Sequence, residues 1–158
     1  MLNMSFPVDN IIPINTRISP AGLGFANFAK GVMFAPESEL PVSFAVDTTR
    51  DYSSLTALSE DFASTTETYK AMNRWLGGIP ATGSITVYAV ADADADWTTT
   101  LNKARNQVWW FWTFVTAATY ASAAECTEVA GWCEANETMF VNNQTGAAAT
   151  AIRDPAGS

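Results

Sequence analysis

The chain has 158 residues, 48% of them hydrophobic and only 15% charged, which excludes a polyelectrolyte-type disordered chain and leaves room for one domain with a sizeable core. Eight basic against sixteen acidic side chains give a net charge of -8 and a pI near 4.3, a field that repels phosphate backbones and argues against nucleic acid as a partner. Histidine is absent, so the Ser-His-Asp arrangement, a Cys-His pair and the commonest zinc ligand are all missing.

The first fifty residues hold five of the prolines (Pro7, Pro13, Pro20, Pro36, Pro41) between short β-prone runs, a pattern of extended segments and turns. Within Asn10 to Ile18, the apolar positions Ile12, Ile14 and Ile18 keep a two-residue period, as in a strand with one covered face. Pro13 cannot donate to a central ladder and restricts that strand to an edge or an arm. Residues 1–30 are therefore expected to form an extended arm and linker, with Ile11, Ile12, Ile14 and Ile18 either as its contacts to a neighbouring subunit or as a strand folded back on its own domain. Further strands are expected at Gly31 to Ala35 and Val42 to Asp47, with Gly22-Leu23-Gly24 as a flexible connection.

After Arg50 the texture turns helical. Ser54 precedes the helix-spaced set Leu55, Leu58 and Phe62; Ser64-Thr65-Thr66-Glu67 is a capping-box pattern followed by Tyr69, Met72 and Leu76; Gly77-Gly78 supplies the stop. A strand is expected from about Ser84 to Val90, then a helix capped by Asp96 that turns Trp97, Leu101 and Ala104 inward. Trp109 to Val115 is apolar at both parities, which predicts a strand covered on both faces, with Trp110, Phe111, Trp112 and Phe114 in the core. Ser122 to Glu125 repeats the capping box before a helix striped by Cys126, Val129, Ala130 and Cys133, and Thr138 to Asn142 reads as a last strand. From residue 84 the order is strand, helix, strand, helix, strand. The fold class expected is α/β: a β-rich N-terminal segment, then a small parallel or mixed sheet with helices on both faces over residues 31–143. Residues 144–158 are small and polar, and the chain is expected to be the front part of a longer protein.

Cys126 and Cys133 stand seven apart on one helix, about 10 Å along its axis, too far to bridge, and read as small buried hydrophobes. The N-terminus has no signal-peptide pattern, which fits synthesis in the cytoplasm and leaves the Asn-x-Ser/Thr triplets at Asn3, Asn136 and Asn143 as coincidence. The longest apolar stretches fall well short of the roughly 18 residues of a membrane span, so no membrane insertion is expected.

Candidate sites weaken on inspection. Asp92-Ala93-Asp94-Ala95-Asp96 resembles the opening of a calcium loop, but Trp97 stands where the glycine belongs and Lys103 where the bidentate glutamate belongs. The pairs Glu60/Asp61 and Glu37/Glu39 read as solvent-facing charge. Gly22-Leu23-Gly24 lacks the third glycine of a dinucleotide fingerprint, and the tryptophans at 109, 110 and 112 lack the basic groove of a nucleic-acid platform. No catalytic residue, metal or cofactor is expected. That combination suits a structural subunit whose arm pairs with a strand of a neighbour. A small-molecule or nucleotide-binding α/β domain with a site near Ala91-Asp92 and Thr116-Ala117 is the alternative.

Val8 to Asn15, Gly31-Val32-Met33-Phe34, Arg50-Asp51-Tyr52-Ser53-Ser54-Leu55 through Asp61-Phe62, and Glu67-Thr68-Tyr69-Lys70-Ala71 resemble contractile-tail sheath proteins of bacteriophages. The resemblance is narrowest to a myophage sheath-like family often described as a domain of unknown function, and extends to Trp132 through Asn136 followed by Met139-Phe140-Val141. It implies a subunit that stacks in helical rings of its own kind around a tail tube protein and contracts to drive the tube through the host envelope. It further implies a location in the virion tail. Another tail component, such as a tube or baseplate protein, is a further alternative, against which the helical second half argues.

Overall fold

The computed structural model describes residues 28–78, 83–116 and 122–142. The arm residues Ile11, Ile12, Ile14 and Ile18, the Gly22-Leu23-Gly24 connection and the tail 144–158 lie outside the described residues.

Five strands form one mixed sheet: β1 (Gly31–Ala35), β2 (Thr49–Tyr52), β3 (Ile85–Ala89), β4 (Trp112–Val115) and β5 (Met139–Asn142), in the order β2-β3-β1-β4-β5. All pairs are parallel except β2 with β3. The helices are α1 (Leu55–Asp61), α2 (Glu67–Leu76), α3 (Trp97–Gln107) and α4 (Ala123–Ala135). The α/β class is as the sequence predicts.

Two apolar clusters lie on the two faces of the sheet. Val32, Phe34, Tyr88 and Val115 pack with α3 and α4, while Met33, Val87, Ala89 and Tyr52 pack with α1 and α2. The central strands β1 and β3 are buried at every position, because each face meets a helix layer. In the first cluster Trp110, fully buried, stacks on Trp132 at a centroid distance of 5.7 Å and donates from Nε1 to Thr113 Oγ1 at 2.8 Å. The indole thus buries its area without orphaning its one donor.

Helix starts follow local chemistry. Ser54 accepts from Ala57, Asp96 from Thr99, and Ser122 with Glu125 makes the reciprocal capping box. At Ser64 to Glu67 the outcome differs: Thr66 is the N-cap and Glu67 opens the helix, so no box forms. The first-turn N–H groups of Glu67 and Thr68, which have no partner within the helix, instead donate to Glu39 Oε1 and Oε2, each at 3.0 Å, from the 3-10 turn Glu37–Glu39. Glu39 is thus not merely solvated charge, as the pair Glu37/Glu39 suggested.

The strand expected at Val42 to Asp47 is absent. This stretch is a run of turns from which only Phe44 reaches the core, Val42 being fully exposed. Asp47 is in the left-handed region (φ 57°), which a strand does not allow, and the fold holds it there: its N–H donates to Ala89 O, and its carboxylate accepts from the Tyr88 hydroxyl and Lys103. The strand lies just beyond, at β2, where Arg50 and Tyr52 face α1.

Candidate interaction surface

The two margins of the sheet differ in chemistry. At β2 the sequence Thr-Arg-Asp-Tyr places Arg50 and Asp51 on the edge. At β5 the sequence Met-Phe-Val-Asn carries no charge, and among the described residues no strand lies beyond it. Charged side chains blunt an edge against pairing, and β5 has none.

The face of the sheet beside β5 is also unfinished. Helix α2 covers β1 and β3 and reaches β4 only through Trp75, so the residues that alternate onto this face, Trp112, Phe114, Met139 and Val141, stay partly in water; Met139 is 47% and Val141 36% exposed. This revises the expectation for Trp109 to Val115. The strand is only Trp112–Val115, Trp110 alone of the four expected core aromatics is fully buried, and Phe111, Trp112 and Phe114 are half-buried, because helices cover this strand on one face only. Trp75, at the end of α2, closes the lower corner, its ring edge-on to Phe114 at 4.8 Å and to Trp112 at 6.4 Å.

Between α2 and this face runs a groove of about 520 Å³. Its floor is Met33, Phe114 and Val141, and its α2 wall carries Lys70 and Arg74. Lys70 pairs with Glu67 at 2.8 Å, whereas Arg74 is exposed and has no ion-pair partner among the described residues. Thr116, beside the carboxyl end of β4, also lines the groove. There the connection after β1 leaves toward β2 and β3 and that after β4 leaves toward β5, so the chain reverses direction across the sheet.

The acidic end of the sheet holds less. A cavity of about 260 Å³ is bordered by Asp92, Asp94, Asp96, Glu125 and Glu128. Asp94 binds Thr100 and Lys103, Asp96 caps α3, Glu125 completes the α4 capping box, and Glu128 accepts from Thr98. Among the described residues no group of three metal-ligating side chains could hold an ion. Asp96 is the helix cap expected from the sequence; its hydrogen bonds with Thr99 keep its carboxyl below the usual range.

A second polar network fixes α1 to the sheet. Asp61 accepts from the Tyr52 hydroxyl at 2.6 Å and pairs with Arg50 at 2.5 Å, and the Arg50 guanidinium lies 4.5 Å from the Phe44 ring centroid. Burial by itself would raise the Asp61 pKa, but the hydrogen bonds from Tyr52 and Arg50 outweigh it and hold the carboxyl below its ordinary range. Burial, reinforced by the carboxylate, pushes the Tyr52 hydroxyl well above the usual tyrosine value, so it stays a donor. Asp61, expected as solvent-facing charge, is thus a structural anchor.

The surface at β5 was not read from the sequence. The signal was present, in that residues 139–142 form a strand without a charge, but which face is left uncovered depends on where α2 ends. Among the described residues no helix is long and apolar enough to cross a membrane. Compared with protein-family models, curated proteins and solved structures, the chain matches none.

Proposed function

We propose that this chain is a structural, non-enzymatic subunit of a bacteriophage contractile tail sheath, which polymerises with copies of itself around a tail tube and drives the tube through the host envelope. The observation that supports it is the margin at β5, where among the described residues an uncharged strand stands at the edge of the sheet next to an apolar face, an arrangement suited to pairing with another polypeptide. The motif resemblance supplies the identity of the assembly. Contraction in this reading moves nearly rigid α/β units between two packings, and needs no cofactor or nucleotide. Partners are further copies of the subunit and the tube protein, and the site of action is the virion tail.

Negative-stain electron microscopy of the full-length gene product at high concentration tests the proposal. Tubes or stacked rings are expected; discrete small particles at every salt and protein concentration would overturn it.

A second reading rests on the groove at the chain-reversal point between β1 and β4, where α/β domains bind small molecules. A thermal-shift screen separates the two, since a ligand at a hundredfold its Kd stabilises by about 2.7 kcal/mol.

A further inference from the structure

Helix α2 turns a charged stripe toward the open part of the sheet. Glu67, Lys70, Ala71 and Arg74 stand three or four residues apart, so they share one face over two turns, about 10 Å of axis. That face is one wall of the groove of about 520 Å³, and Met33, Phe114 and Val141 are its floor.

The wall carries two cations and one anion, in a chain whose net charge is -8. Glu67 is neutralised by Lys70 at 2.8 Å, which leaves the charge of Arg74 uncompensated among the described residues. The first-turn N–H groups of α2, which would otherwise cradle a phosphate, are already taken by the Glu39 carboxylate. What remains is one guanidinium fork beside an apolar floor.

The aromatic end of the groove is held in place before any ligand arrives. Trp75 Nε1 donates to Ser84 O at 3.4 Å, and the Trp75 ring stands edge-on to Phe114 at 4.8 Å. Gly31 lets the Phe114 ring seat against β1, since a Cβ there would lie 2.8 Å from it. Binding on this floor therefore orders few side chains, and the volume falls among those of small-molecule sites, about 300–1,000 Å³.

We propose that this groove binds a small organic carboxylate, whose charged group accepts from the Arg74 guanidinium and whose apolar body lies on Phe114 and Val141. A planar carboxylate matches the guanidinium fork as a bidentate pair. An inorganic anion would leave the floor uncovered, a cation would meet Arg74 and Lys70, and a neutral molecule would forgo the charge-assisted bonds. The inference rests on the small-molecule reading of the groove, for which it names the ligand class, and is decided separately from sheath assembly.

Three probes that share one body test it: 4-phenylbutyrate, 4-phenylbutanol and 4-phenylbutylamine. Each is titrated into the full chain and followed by NMR at the Met33 and Val141 methyl groups and the Trp75 indole N–H. The carboxylate should bind with a Kd on the order of 1 mM, the alcohol about tenfold more weakly and the amine more weakly still. Arg74→Gln should weaken the carboxylate about tenfold, to the level of the alcohol, while the alcohol's affinity and the thermal midpoint stay unchanged. Equal affinity of the three probes, or carboxylate binding that survives Arg74→Gln, would overturn the ligand class and leave the groove a small-molecule site. Signals that none of the probes shifts, at about tenfold the expected Kd, would overturn both readings.

Discussion

The Tyr52 hydroxyl donates to Asp61 Oδ2 at 2.6 Å, tying the end of β2 to the last residue of α1. Arg50 joins the same carboxylate, so a two-residue alternation on the strand presents both donors to one acceptor. An ionised Asp61 is thus part of the folded state.

Acid should therefore unfold the protein through this group and through Asp47, whose carboxyl is likewise held low: burial would raise it, but hydrogen bonds from Lys103 and Tyr88 prevail. With folded pKa values below the unfolded value of about 3.9, their stabilisation is complete above that value and is lost as pH falls through the folded values. Asp61→Asn should flatten the acid limb of a plot of urea-unfolding stability against pH. An unchanged acid limb would show that Asp61 does not carry it.

Trp110→Ala should be the most damaging single truncation among the described residues. It removes a fully buried indole stacked on Trp132 and strands the Thr113 hydroxyl bond, at a cost of about 3–5 kcal/mol in chemical denaturation.

Gly31 sits under the uncovered face. A Cβ there would lie 2.8 Å from Phe114 Cε2 and 3.4 Å from Trp75. Gly31→Ala should cost about 1–3 kcal/mol as an overpacked site. Adding Phe114→Leu should recover part of it, a coupling that a double-mutant cycle on denaturation midpoints measures directly.

Met139→Lys with Val141→Lys should leave the thermal midpoint nearly unchanged, because both side chains are already 47% and 36% exposed and such surface changes fall within about 0.5 kcal/mol. The same pair should abolish rings or tubes of the full-length product in micrographs, because charge on an edge strand blocks pairing. Assembly that persists would move the contact surface elsewhere.

Local chemistry was legible wherever a short-range rule had no long-range competitor. Ser54, Asp96 and the Ser122/Glu125 box cap the helices that their spacing announces, and Trp97, Leu101, Ala104 and Cys126, Val129, Cys133 face inward, whereas Ala130, expected in the second stripe, is exposed and Trp132 is buried in its stead. The misread positions are those where a distant residue intervenes. Glu39 takes the α2 N–H groups that a local box would have used, and the contacts of Asp47 with Ala89, Tyr88 and Lys103 hold a left-handed turn within a β-prone run.

By itself, the sequence determined the α/β class, the order of most elements and their caps, because periodicity and capping are properties of neighbours along the chain. Tertiary structure alone decided which apolar residues stay exposed. Trp110 and Trp112 are equally apolar and two residues apart, yet Trp110 is enclosed beneath α3 and α4 while Trp112 looks onto a face that α2 reaches only through Trp75. Burial depends on which element lies opposite a side chain, and the position of that element is set by the lengths and packing of helices far away in sequence.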